Sequence, residues 1–153
     1  MKRSPLFSRL EVEYPIIQAA TPWVSNPELS AAVSNAGALG SIAPTSGLAH
    51  DGDILKNFRD LIHKTRNLTD KPFAVGLHLP HPQIEQLIAI AIEEGVRVVI
   101  TSGASPAVYT GYLKDKGMAV LHLAPSVRHA RAAEAHGVDA VIAEGMESGG
   151  VLG

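Results

Sequence analysis

Val96-Arg97-Val98-Val99-Ile100-Thr101 is the stretch whose reading decides the fold. Five of its six residues are β-branched and only Arg97 is charged, as expected of a strand covered on both faces of a parallel sheet. It is preceded by Ile84, Leu87, Ile88, Ala91 and Ile92, spaced as one face of a helix and closed by Gly95. It is followed by Ser102-Gly103-Ala104-Ser105-Pro106, where Ser105 can cap a helix and Pro106 can open it. A buried strand flanked by two amphipathic helices is the repeating unit of an α/β protein.

The same alternation extends in both directions. Apolar runs at Tyr14 to Gln18, Leu39 to Ile42, Pro72 to Leu79, Met118 to Leu123 and Val138 to Ala143 bring the expected strands to six. Between them, Asn26-Pro27 opens a helix that stops at Gly37. Ile54, Leu55, Phe58, Leu61 and Ile62 recur at helical spacing, and Ser126 caps a helix from Val127 to His136. Six strands with five helices make about five and a half βα units on a parallel sheet, in one domain over residues 1–153. Periodicity leaves two architectures open, an incomplete (β/α)8 barrel and a doubly wound sheet, since both put ligands at the carboxyl ends of parallel strands.

Composition narrows the function classes. The 153 residues carry 18% charged and 46% hydrophobic side chains and a net charge of −2, which argues against disorder and gives no basic footprint for nucleic acid or an anionic membrane. No cysteine is present, so thiolate metal sites and a cysteine nucleophile are excluded. Lys2 and Arg3 begin like a secretion signal, but Ser8, Arg9, Glu11 and Glu13 interrupt the apolar run such a signal needs. The expectation is a soluble cytoplasmic protein acting on a small molecule, without a nucleic-acid or membrane partner.

Ligand groups belong in the loops after the strands: 18–24, 43–47, 78–81, 102–106 and 144–150. Gly103 and the pair Gly149-Gly150 would let a flat or anionic ligand approach the backbone, and they equally suit tight turns. His78 and His81 flank a proline without an acidic third ligand, so no metal site is expected. His122 lies on a strand and reads as a packed imidazole, while His129 and His136 fall on a solvated helix face. Trp23 suits either ring stacking or filling the barrel end. Glu144 and Glu147 suggest paired carboxylates or backbone-binding groups.

Several segments resemble one family. Tyr-Pro-Ile-Ile-Gln at 14–18, Val-Ser-Asn-Pro-Glu-Leu at 24–29 and Ala-Ala-Val-Ser-Asn-Ala-Gly-Ala-Leu-Gly at 31–40 resemble the nitronate monooxygenases, also called 2-nitropropane dioxygenases. So do Leu-Thr-Asp-Lys-Pro-Phe at 68–73, Glu-Glu-Gly-Val at 93–96 and Thr-Ser-Gly-Ala at 101–104. The run Val-Asp-Ala-Val-Ile-Ala-Glu-Gly-Met-Glu-Ser-Gly-Gly at 138–150 looks particularly like the FMN-dependent enoyl-acyl-carrier-protein reductases of the same superfamily.

The resemblance implies a TIM barrel carrying FMN, here an incomplete one, with Ala20, Thr21, Gly76, Glu144, Gly149 and Gly150 at the flavin-contacting positions. Where the family commonly has Met in the first loop and Asn after the third run, this chain has Thr21 and Gly76. Where the family has its catalytic histidine, this chain has Val151, so the motif supplies no catalytic residue and His78 or His122 would have to substitute. The family's phosphate-gripping loops follow the seventh and eighth strands, so the expected FMN affinity of this shorter chain is weak or absent. Expected activities are oxidation of alkyl nitronates with oxygen, impaired by truncation, or hydride transfer to an enoyl thioester. Two further expectations are a non-catalytic fragment that pairs its exposed sheet edges with a second copy or a complementary chain, and a phosphate-ligand TIM-barrel lyase or isomerase.

Overall fold

The computed structural model describes residues 5–47 and 52–148. Five strands form one sheet: β1 Gly40–Ile42, β2 Phe73–His78, β3 Val98–Ser102, β4 Ala119–Ala124 and β5 Ala140–Ala143. All are parallel, and their spatial order is their chain order. A doubly wound sheet reverses direction at a switch point between two halves. No such reversal occurs among the described strands, and sequential parallel strands under helices are the arrangement of a barrel wall. The architecture is a partial (β/α)8 barrel.

The run at 14–18 is the exception among the six expected strands. It meets the sheet through one parallel bridge, Ile17 to Leu39, on the free side of β1. Pro15 has no amide proton to give a ladder, and the Ile16 N–H is used locally on the Tyr14 carbonyl at 2.7 Å. What remains is an extended segment whose Gln18 N–H donates to Leu39 O and whose Ile16 O accepts from Leu39 N. It keeps the place of a first barrel strand without the pairing of one.

The helices are α2 Pro27–Asn35, α3 Ile54–Leu68, α4 Ile84–Glu93, α5 Thr110–Asp115 and α6 Val127–Ala135, after a short amino-terminal α1 Pro5–Arg9. Asn26, Asp53 and Ser126 cap α2, α3 and α6 through their side-chain oxygens. The helix expected from Ser105-Pro106 begins instead as a 3-10 turn over Pro106–Val108. There the Thr110 hydroxyl donates to the Pro106 carbonyl at 2.8 Å, replacing the backbone bond that would have continued the helix. No helix among the described residues is long and apolar enough to cross a membrane.

Two apolar clusters lie on opposite faces of the sheet. Phe73, Val75 and Leu77 of β2, with Val99 and Val120, pack under α3, α4 and α5 on the convex side. Ala74, Val98, Ile100, Ala119 and Leu121 line the concave side, where Leu6, Phe7, Leu10 and Val12 cover them. The amino-terminal segment therefore plugs the barrel interior, a role the sequence reading did not assign to it.

Asp139, just before β5, fastens this plug to the sheet. Its Oδ2 accepts from Val120 N at 2.9 Å, and its Oδ1 accepts from Arg9 Nη2 at 2.8 Å and Lys114 Nζ at 3.4 Å. Burial pushes the Asp139 carboxyl up, but the Val120 amide, Arg9 and Lys114 outweigh it and hold the group below its ordinary value. A depressed folded-state pKa contributes stability that is present above the unfolded value, about 3.9, and lost as pH falls through the folded value. Asp139→Asn should cost about 1 kcal/mol at neutral pH, the hydrogen-bond share left after solvent screening of the two cations. In urea titrations the difference from the parent should shrink below about pH 4; an equal deficit at pH 3 and pH 7 would contradict the assignment.

Candidate functional site

Strand parity fixes which side chains meet a ligand. Successive residues of a strand point to opposite faces, and Ala74 is on the concave side, so Gly76 and His78 are too. Ser102 shares that face with Val98 and Ile100, and it is the ladder partner of His78. The carboxyl end of the concave face therefore presents Gly76, His78 and Ser102.

Over this end lies the loop that leaves the first extended run. Ser25, buried at 1% exposure, is its hub: its hydroxyl donates to Ala19 O at 2.8 Å and accepts from Thr21 N at 2.7 Å and Gln18 Nε2 at 2.8 Å. Gln18 ties the loop to the sheet, its Oε1 accepting from Ser41 N at 2.9 Å. This hub holds Trp23 at φ 70°, a left-handed conformation that costs a bulky residue about 1–3 kcal/mol. Trp23 is 62% exposed, so it does not fill the barrel end.

The loop brings Ala20 directly onto Gly76. A Cβ built on Gly76 would sit 2.2 Å from the Ala20 Cβ, well inside van der Waals contact. Two flavin-assigned positions thus share one place in the fold. They form a floor of backbone and one methyl group at the strand ends, with no side chain rising from position 76. Thr21 adjoins this floor, half-buried.

The histidines separate cleanly. His122 has the parity of Val120 and faces the helix layer, 3% exposed, with Nδ1 2.8 Å from Thr101 Oγ1. Burial, with His129 adding to it, lowers its pKa, and a neutral imidazole packed under helices is the structural role expected for it. It cannot reach the concave face. His129 and His136 are exposed on and after α6. The His81 Nδ1 accepts from Gln83 N at 3.0 Å. His78 alone of these stands on the concave face at the ligand end.

Glu144 directly follows β5, its Oε1 accepting from the Ser148 hydroxyl at 2.8 Å. The Glu147 carboxylate folds over Gly145, so the pair expected from the sequence is divided between two local contacts. Gly149, Gly150 and Val151 lie outside the described residues. No metal-competent group of His, Asp and Glu occurs among the described residues. Two grooves lie elsewhere. One, of about 410 Å³, lies at the amino ends of β2 and β3, lined by residues including Arg66, Lys71 and Arg97; the other, of about 380 Å³, runs between α6 and β5. Neither touches the floor of Ala20 and Gly76.

The nitronate monooxygenase family model matches residues 3–153. The chain belongs to the nitronate monooxygenase family. It is 35% identical over 187 aligned residues to a nitronate monooxygenase of Pseudomonas aeruginosa, covering 96% of this chain and 52% of that protein. It is 32% identical over 151 residues to the (3aS,4S,5R,7aS)-5-hydroxy-7a-methyl-1-oxo-octahydro-1H-indene-4-carboxyl-CoA dehydrogenase of Mycobacterium tuberculosis, covering 99% of this chain and 41% of that one. The structure of FabK from Thermotoga maritima superposes with a TM-score of 0.89 at 40% identity, covering all of this chain and 47% of that one. The chain therefore spans about half the length of the relatives it matches.

Proposed function

We propose that this chain forms the amino-terminal half of an FMN-dependent oxidoreductase site that oxidises alkyl nitronates. The observation that carries this reading is the floor of Ala20 and Gly76 at the carboxyl end of the concave face. FMN, when bound, would supply the redox chemistry between substrate and oxygen. On the protein side, Ala20, Thr21 and Gly76 offer the ring a flat seat, and the Ser25 hub keeps that seat rigid. Glu144, Gly149 and Gly150 are proposed to border the ring from the β5 side. The catalytic position of the family motif is Val151, which moves no proton.

Chemistry on an acyl thioester, of which reduction of an enoyl thioester is the expected form, is the second reading, and one observation favours the thioester class. The alignment to the P. aeruginosa nitronate monooxygenase needs 187 positions for 96% of this chain, so that enzyme carries extra residues within the matched half. The alignment to the M. tuberculosis CoA-thioester dehydrogenase needs 151 positions for 99%. This chain has the insertion-free layout of the thioester enzyme.

Anaerobic mixing of the chain with FMN and either propyl-1-nitronate or NADH separates the two readings. Bleaching of the flavin by nitronate above the protein-free rate supports the first, and bleaching by NADH alone supports the second. FMN itself should bind more weakly than about 1 µM, roughly −8 kcal/mol, because the resemblance places the phosphate grip in the half of the relatives that this chain does not match. We propose that the free sides of the 14–18 segment and β5 are covered in use by another copy or a complementary half-barrel.

A further inference from the structure

We propose that His78 is the proton acceptor of this site, taking the proton from the carbon beside the nitro group of a neutral nitroalkane and so producing the nitronate. This inference rests on the nitronate reading above. Three observations place the imidazole for that task. First, His78 is on the concave face one pleat beyond Gly76, about 7 Å along the strand and toward the mouth of the barrel. Second, its ring is seated. A Cβ on Gly103 would stand 2.3 Å from Cε1 and 2.5 Å from Nδ1 of His78, so the ring rests directly against this residue, and φ +84° favours glycine there. Ser102 Oγ, on the same face, lies 3.5 Å from Nδ1. Third, Nε2 makes no hydrogen bond among the described residues and the side chain is exposed, so the ring is held on one side and open on the other.

Among the described residues, the other imidazoles are engaged or turned away. His122 faces the helix layer. The His63 Nε2 lies 2.8 Å from Glu94 Oε2 on the outer helices, and His129 Nδ1 is 2.8 Å from Ser126 Oγ on α6. The step itself is a proton transfer. The C–H bond breaks, its electron pair becomes the second bond between carbon and nitrogen, and the proton passes to Nε2 to give an imidazolium. The nitro oxygens take up the negative charge, and the imidazolium later returns its proton to water. No oxidant or reductant is consumed.

This step is measurable on the chain without flavin, as exchange of the α-hydrogens of nitroethane for deuterium in D2O followed by proton NMR. The parent chain should accelerate exchange over buffer, and His78→Gln should lose that acceleration on the order of 10²-fold, the usual effect of a positioned base. His129→Gln should leave it unchanged. On the parent alone, the pH at which exchange rises should coincide with the titration of the His78 Cε1 proton, so the inference stays testable if the variant does not fold. No acceleration by the parent, full acceleration in His78→Gln, or a rise in rate at a pH other than that of the His78 titration would each overturn it. Failure of the flavin reading is separate: exchange would persist while nitronate left added FMN oxidised.

Discussion

Gly40→Ala is expected to destabilise the protein by about 3 kcal/mol or more, at or beyond the upper end of ordinary overpacking. A Cβ at position 40 would meet the Ser30 carbonyl oxygen at 2.0 Å, its carbon at 2.7 Å and Ser34 Oγ at 2.8 Å. The first two are backbone atoms of α2, so no side-chain rotation relieves the clash and the helix must lift from β1. Lifting it would also strain two bonds of the Ser34 hydroxyl, which accepts from Gly40 N at 3.2 Å and donates to Pro72 O at 2.9 Å. Against a typical total of about 5–15 kcal/mol, a large share of stability would be gone. Gly111→Ala is the contrast, because a Cβ there meets nothing within 4 Å and the residue lies inside α5, where alanine gains about 0.5–1 kcal/mol over glycine. Urea midpoints should move in opposite directions for the two; a loss under about 1 kcal/mol for Gly40→Ala would mean that α2 does not sit as described.

The sequence signals that held were local ones. Val98 to Thr101 reads as strand from its own β-branched residues, and Asn26 and Ser126 announce their helices by capping chemistry that needs only the next three residues. What the sequence could not disclose depends on contacts between distant segments. A run that is apolar on both faces carries no alternation, so nothing in Met118 to Leu123 indicates that His122 points under the helices while Leu121 points inward. That parity is fixed only by register with β3 and by which cluster each neighbour joins. The amino-terminal plug was missed for a related reason. Leu6, Phe7, Leu10 and Val12 form a short, broken pattern between charged residues, and their burial comes from the concavity of a sheet built by later residues. The choice between barrel and doubly wound sheet was likewise invisible to periodicity and follows from strand order.

Gly76→Asn is expected to weaken the site, although it restores the residue that the family commonly carries there. Its Cβ would lie 2.2 Å from the Ala20 Cβ, so the asparagine must push the 18–25 loop outward, stretching the bonds that Ser25 makes to Ala19 and Thr21. The cost should be about 1–3 kcal/mol of stability, with any measurable FMN affinity reduced because the flat seat has gone. Ala20→Gly removes the methyl group that is struck and should cost little alone. In the double variant the asparagine gains room, and the two changes should couple favourably by more than about 1 kcal/mol, within the usual range for residues in contact. The same cycle scored on FMN fluorescence quenching asks whether the seat is shared: Gly76→Asn with Ala20→Gly should bind flavin more tightly than Gly76→Asn alone. Additive urea midpoints, or tighter FMN binding by the single Gly76→Asn variant, would show that Ala20 does not close over β2. The loop would then have to stand away from the strand, and positions 20 and 76 would meet a ligand independently rather than as one surface.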